Sequence, residues 1–172
     1  MTSIEDLLNK ARKLQKDKRY EESVEILENL FKKNPQSGEI KKELINVFLS
    51  YGVYLSDEFV MEFEKSIKYF NKILEIDPNY YRAVYNIGIA YFNLGDMTNA
   101  MRAYNNAIKI KPDYKHCYYN IGLIYEVKEN LKEALKFYKK ALEIDPKFIY
   151  ALQAKKNVKQ KLNAQKREIA DF

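Results

Sequence analysis

The sequence predicts an all-α fold built from antiparallel helix pairs, and three observations support this prediction. Proline recurs every 34 residues, at Pro78, Pro112 and Pro146, and the residues around these prolines repeat in register. Apolar side chains recur at intervals of three and four residues, which is the spacing of one helix face. The 172 residues include only 5 glycines and 4 prolines, too few for the many turns of an all-β fold.

Residues 81–114 and 115–148 are the two clearest repeats, and each predicts two helices. Each helix has an apolar stripe, in the first pair Val84, Ile87, Gly88 and Tyr91, then Ala100, Tyr104, Ala107 and Ile108. Gly88 and Ala100 lack bulk, so we expect the two backbones to cross closely there, and likewise at Gly122 and Ala134. Gly95 predicts the turn between the two helices. Pro112 has no N–H and disfavours helical geometry before it, which predicts the end of the second helix.

These residues resemble the tetratricopeptide repeat (TPR) family, whose pattern places a large residue, Leu-Gly, Tyr, Ala, an aromatic residue, Ala and Pro at fixed offsets. The matching residues are Val84, Ile87, Gly88, Tyr91, Ala100, Tyr104, Ala107 and Pro112, and again Tyr118, Ile121, Gly122, Tyr125, Ala134, Tyr138, Ala141 and Pro146. The resemblance implies a right-handed superhelical α-solenoid. It also implies a protein–protein interaction scaffold or adaptor that holds a peptide segment in a concave groove.

Four repeats are expected in residues 1–148, at about 4–37, 38–80, 81–114 and 115–148, followed by a capping helix and basic tail in residues 149–172. The first repeat is degenerate. The second is nine residues longer than the period, because Pro35 and Pro78 are 43 residues apart. We predict four or five extra residues on each of its helices, with the second helix reaching back to Phe59 and capped by Ser56 or Asp57.

The last helix is predicted to cover the apolar end of the array, as terminal helices of repeat proteins do. Its apolar residues are Ile149, Ala151, Leu152, Val158 and Leu162. Lys147–Phe172 contains seven basic and two acidic residues, a net charge of +5 out of +6 for the whole chain. We interpret this charge as the solvated face of the capping helix. Two alternatives are that it docks on nucleic acid or on an anionic membrane.

The sequence predicts no catalytic activity, no cofactor and no metal site. It has one histidine, His116, and one cysteine, Cys117, and neighbouring residues on a helix point in different directions. None of the common catalytic or nucleotide-binding motifs is present. No apolar run approaches the ~18 residues of a membrane-spanning helix, and no apolar segment near the N-terminus suggests a secretory signal. We therefore expect a soluble, cytoplasmic protein.

The predicted peptide-binding groove consists of residues that point away from the helix-pairing stripes. They are Lys42, Asn46, Arg82, Tyr85, Asn86, Ile89, Phe92, His116, Tyr119, Asn120 and Leu123. Their mixture of apolar, aromatic and amide groups suits a bound peptide, and the three basic residues favour an acidic segment or C-terminus. Self-association is a further alternative.

Some TPR proteins hold a carboxylate with a set of Lys, Asn, Asn, Lys and Arg. Here Lys42, Asn46 and Asn86 match the first three positions, but His116 and Asn120 replace the last two, so the resemblance does not predict a complete clamp.

Overall fold

The computed structural model describes residues 3–170, and these residues form nine helices and no strand. Four helix pairs come first: α1 (Ile4–Lys16) with α2 (Tyr20–Lys33), α3 (Gly38–Leu55) with α4 (Phe63–Ile76), α5 (Tyr81–Asn93) with α6 (Met97–Ile110), and α7 (Lys115–Val127) with α8 (Leu131–Ile144). A last helix, α9 (Ile149–Ala170), follows them. The predicted all-α fold is confirmed, with four successive helix–turn–helix segments in chain order before the terminal helix.

The second helix of each pair ends two residues before a proline, as predicted. The residue between the helix and the proline has an extended φ of −135° at Asn34, −136° at Asp77, −133° at Lys111 and −136° at Asp145. This geometry avoids the clash between a helical residue and the proline ring that follows it.

The turn inside each helix pair contains one residue in the left-handed region. Gly95 has a φ of 78°, and Lys18, Met61 and Glu129 have φ values of 59°, 55° and 57°. Only glycine adopts this conformation without steric cost. The predicted role of Gly95 in the turn is therefore confirmed, and the other three repeats make the same turn with ordinary residues.

The chain divides into two compact units, Met1–Leu94 and Gly95–Phe172. In the first unit, α1 to α5 pack against one another in chain order. Small polar residues occur where the paired helices meet, and each is satisfied there. The buried Ser23 hydroxyl donates to the carbonyl of Ala11 at 2.9 Å, and the Ser56 hydroxyl donates to Ser66 at 2.6 Å.

In the second unit, α8 packs on α7 and α9 covers the other side of α8. Ala154 and Val158 of α9 share one core cluster with Ala134 and Tyr138 of α8, and Ala151 packs with Ala141 and Phe148 in a second cluster. The predicted apolar stripe of α9 was partly wrong. Ile149 is 75% exposed and Leu152 is 44% exposed, because both lie away from the surface that covers α8.

The predicted close crossing at Gly122 exists, and the group that meets the glycine is the ring of Tyr138, one turn after Ala134 on α8. A Cβ on Gly122 would lie 2.5 Å from Cε1 of Tyr138, so the glycine accommodates this ring. Gly52 of α3 makes the same contact, with a Cβ position 2.5 Å from Cε1 of Phe70. Gly88 is also buried, and its predicted neighbour stays a prediction.

The expansion of the second repeat differs from the prediction. α3 has 18 residues against 13 in α5 and α7, whereas α4 has 14, as do α6 and α8. The remaining extra residues lie in the connection 56–62, and α4 begins at Phe63 after Glu62. Asp57 does not cap this helix, because its carboxylate accepts the N–H of Phe59 at 3.0 Å. This local turn leaves Phe59 89% exposed.

Candidate functional site

The predicted groove residues of the first unit lie on the outward faces of α3 and α5. Lys42 and Asn46 are exposed on α3, one helical turn apart. On α5, Arg82 is exposed and the others are half-buried, namely Tyr85, Asn86, Ile89 and Phe92. The residues behind them fill the core: Ala83, Val84, Ile87, Gly88 and Ala90. The side of α5 that the sequence predicts to be buried, at Val84, Ile87 and Gly88, is buried in the structure.

The two cations on these faces, Lys42 and Arg82, have no ion-pair partner among residues 3–170. Two nearby carboxylates on α3 share one cation, because the Arg12 guanidinium of α1 donates to Glu39 at 3.0 Å and to Glu43 at 2.8 Å. Neither carboxylate forms an ion pair with Lys42.

Asn86 is fixed by its own helix. Its side-chain amide donates to the carbonyl oxygen of Arg82 at 2.7 Å. This bond orients the amide on the outward face of α5, where it lies between the aromatic and apolar residues of that face.

Two of the predicted groove residues of the second unit, His116 and Tyr119, belong to an aromatic cluster, which consists of His116, Tyr119, Phe148 and Tyr150. The centroid of the Phe148 ring lies 5.0 Å from the ring centroid of His116, 5.5 Å from that of Tyr119 and 5.6 Å from that of Tyr150. Phe148 is buried, whereas Tyr150 remains 65% exposed. The cluster joins α7 to the start of α9, and it offers accessible ring surface on top of a buried ring.

Part of the predicted groove serves the packing of its own unit. Tyr119 and Leu123 pack against the core cluster shared by α8 and α9, and the Tyr119 ring lies 5.7 Å from Tyr138. Burial raises the pKa of Tyr119 above its ordinary value. Asn120 lies between Tyr119 and the buried Ile121 and is half-buried. Tyr119, Asn120 and Leu123 thus stay only partly accessible.

His116 and Cys117 have different environments and do not form a catalytic pair. Cys117 is fully buried, and burial raises the pKa of its thiol to about 12, so the reactive thiolate is not formed near neutral pH. Burial and the neighbouring Lys115 lower the pKa of His116. Among residues 3–170, no group of three or more His, Cys, Asp and Glu side chains is arranged to hold a metal ion.

An aromatic cluster of the first unit was missed by the sequence reasoning. Tyr51 stacks on Tyr20 at 5.3 Å and lies 4.6 Å from Tyr69. The Tyr51 hydroxyl donates to Glu21 at 2.6 Å, and Lys65 donates to the same carboxylate at 3.0 Å. All of these residues except Tyr69 line a cavity of about 350 Å³ beside the turns of the first two pairs. The tyrosine-rich ends of α2 and α3 were the available signal.

One of the positive charges of α9, on Lys161, forms an ion pair with a carboxylate of α7. Glu126 of α7 accepts from the Tyr138 hydroxyl at 2.8 Å and from Lys161 of α9 at 2.7 Å. Burial and this carboxylate raise the pKa of Tyr138. The side chains of Lys166 and of residues 168–172, which belong to the predicted basic tail, lie outside the described residues.

In the part of the chain that the structure describes, none of the helices combines the length and apolar character needed to cross a membrane.

Comparison with known families gives three matches along the chain. Sequence profiles of the tetratricopeptide repeat match residues 62–80 and 117–148, and a TPR repeat profile matches residues 90–127. No curated protein matches the sequence.

Solved structures with the same fold include proteins that are described as TPR proteins. The crystal structure of MamA protein aligns with a TM-score of 0.68 at 20% identity, over 95% of this chain and 85% of that chain. The first TPR of Spaghetti (RPAP3), bound to the HSP90 peptide SRMEEVD, aligns with a TM-score of 0.62 at 24% identity, over 69% of this chain and 93% of that chain. YrrB, described as a TPR protein with an unusual peptide-binding site, aligns with a TM-score of 0.60 at 20% identity, over 88% and 91%.

Proposed function

Because the chain belongs to the tetratricopeptide repeat family, we propose that it is a non-catalytic interaction scaffold that binds a peptide segment of a partner protein on the faces of its first helices. The composition of these faces carries the proposal. Aromatic, apolar and amide side chains stay partly accessible there, while small and branched residues behind them fill the core. Such faces offer apolar contacts to peptide side chains and hydrogen bonds to the peptide backbone.

Two of the similar structures support this reading, because one holds a peptide and the other is described by its peptide-binding site. In this chain, the α5 face supplies Tyr85, Asn86, Ile89 and Phe92. The α7 face supplies Tyr119, Asn120 and Leu123 beside the exposed ring of Tyr150.

The charges of these faces favour an acidic peptide. Lys42 and Arg82 are exposed and can pair with carboxylates of a bound segment. His116 contributes less than its residue type suggests, because its lowered pKa keeps the imidazole neutral at neutral pH. His116 is therefore a hydrogen-bonding and stacking group in this proposal, and the acidic preference rests on Lys42 and Arg82.

Peptides selected from a displayed random library against the wild-type protein provide the ligands for a calorimetric test. We expect Asn86→Ala and Asn120→Ala each to weaken binding about two- to tenfold, the usual contribution of one hydrogen bond. The matched control is Asn105→Ala with Asn106→Ala, which removes two exposed amides from α6 and should leave the affinity unchanged.

The competing location is the connection between α3 and α4, where Phe59 is 89% exposed. If the Asn86→Ala/Asn120→Ala variant retains wild-type affinity while Phe59→Asp abolishes binding, the proposed faces are not the peptide site.

A further inference from the structure

The face of α7 that packs against α8 contains a glycine and an aromatic residue that contact the rings of α8. Gly122 leaves room for the Tyr138 ring, whose Cε1 would lie 2.5 Å from a Cβ at this position. Three residues further along, the Tyr125 ring stacks on Phe137 with centroids 5.4 Å apart. A bare glycine and a flat aromatic residue thus form the surface on which the second helix of the pair rests.

The corresponding face of α9 is built from lysines. One period of 34 residues after Ile121, Gly122 and Tyr125, the sequence has Lys155, Lys156 and Lys159. α9 does not turn where a fifth pair would turn. The turn 128–130 of the fourth pair corresponds to residues 162–164, and α9 remains helical through them. Among the described residues, no second helix covers this lysine face.

The lysine face, defined as Lys155, Lys156 and Lys159, carries uncompensated charge. α9 has no acidic residue from Ile149 to Gln165. Lys161 pairs with Glu126, whereas the three lysines of the face have no ion-pair partner among the side chains that the structure describes. Leu152, one turn before Lys155 and Lys156, is 44% exposed. The face therefore combines a positive stripe with one accessible apolar side chain.

We propose that the lysine face binds an acidic helix of a partner protein, placed against α9 as α8 is placed against α7. Charge complementarity selects the partner, which presents Asp or Glu at intervals of three and four residues and an apolar residue opposite Leu152. The lysine face shares no residue with the proposed peptide-binding faces, so the inference does not depend on them.

Two other anionic partners fit the lysine face less well. Ile149 and Tyr150 at the start of α9 are exposed, but beyond Leu152 the exposed positions up to Gln165 are lysine, glutamine, asparagine and one alanine. The lysine face itself therefore contributes no large apolar side chain that could enter a lipid bilayer. The lysine face itself also has no aromatic side chain on which a nucleic-acid base could stack.

Two synthetic peptides of identical composition and about 16 residues, long enough to form a helix, test the proposal. One carries its glutamates on a single helical face with a leucine beside them, and the other distributes the same glutamates around the helix. Fluorescence anisotropy measures the affinity of each for the full chain at low and moderate salt. We expect the single-face peptide to bind at least about tenfold more tightly, because only this peptide can place all its carboxylates against the stripe.

Charge-matched variants locate the binding surface. Lys155→Gln, Lys156→Gln and Lys159→Gln together should weaken binding of the single-face peptide about tenfold, since each exposed pair contributes a modest part. Lys132→Gln, Lys136→Gln and Lys139→Gln remove the same charge from exposed positions of α8 and should leave the affinity nearly unchanged.

Equal affinities for the two peptides, or equal losses in the two triple variants, would refute the proposal, because net charge alone would then explain binding. Tighter, Lys155-dependent binding of an RNA oligonucleotide or of anionic vesicles at the same salt concentration would also overturn it.

Discussion

Replacing Gly122 by alanine tests how the paired helices cross. The added Cβ would lie 2.5 Å from Cε1 and 2.7 Å from Cδ1 of Tyr138, whereas ordinary carbon contacts are about 3.5–4.0 Å. The Tyr138 ring would therefore have to move by about 1 Å. It has little freedom to do so, because it is fully buried and its hydroxyl is bound to Glu126 at 2.8 Å.

The expected cost follows from two opposing contributions. Overpacking of this kind costs about 1–3 kcal/mol, while replacing glycine by alanine inside a helix contributes about 0.5–1 kcal/mol of stability. We expect Gly122→Ala to lower the free energy of unfolding by about 1 kcal/mol, near the middle of the range of about 0–2.5 kcal/mol that the two terms span. The free energy of unfolding is measured by denaturant titration, with far-UV circular dichroism as the signal.

Two further variants make the measurement decisive. Gly38→Ala is the control, since no heavy atom lies within 4 Å of the added Cβ; if Gly122→Ala is as stable as this control, the crossing geometry is wrong. The first repeat has Ala11 and Leu27 at the positions of Gly122 and Tyr138, and both are fully buried. In a double-mutant cycle, Tyr138→Leu should therefore offset Gly122→Ala by about 1 kcal/mol or more, and strict additivity would refute the argument.

Two further predictions concern the turn at Gly95 and the titration of Tyr51. Gly95→Ala places a Cβ on a residue with a φ of 78°, so we expect the free energy of unfolding to fall by about 1 kcal/mol. In the same denaturant titration, Gly38→Ala should raise the free energy of unfolding slightly. If both variants raise it, the backbone at Gly95 is not strained by a side chain. Burial and the Glu21 carboxylate raise the pKa of Tyr51 to about 12, whereas an unfolded tyrosine titrates near pH 10. The folded chain then retains a proton that the unfolded chain has lost, so stability should fall as pH rises from about 10 to 12, and Tyr51→Phe should make this fall shallower; an unchanged slope would exclude Tyr51 as its source.

Local signals in the sequence determined where the helices begin and end. A proline two residues after α2, α4, α6 and α8 acts on its immediate neighbours, and its effect needs no tertiary partner. The periodic apolar residues of α5 likewise determined its buried side, since Val84, Ile87 and Gly88 are buried as predicted. Both signals depend on the geometry of a single helix, which is the same in every protein.

The second repeat shows what these local signals do not determine. Phe59, Val60 and Met61 read as part of an amphipathic helix, but they form a connection that ends with Met61 in the left-handed region. Apolar residues are compatible with a helix or with a loop, and only the position at which α4 meets α3 decides between them. The contact of Gly52 with Phe70 fixes that position.

The sequence by itself determined the repeat, its period and the nine helices of the described residues, and it predicted which residues face outward. The tertiary structure decided which of those residues stay accessible: Tyr119 packs against Tyr138, Phe148 and Tyr150, while Tyr150 remains exposed. It also decided that Lys155, Lys156 and Lys159 lie on a face that no second helix covers within the described part of the chain. The physical reason is that periodicity specifies the direction of a side chain on its own helix, whereas accessibility depends on residues far apart in the chain that only packing brings together.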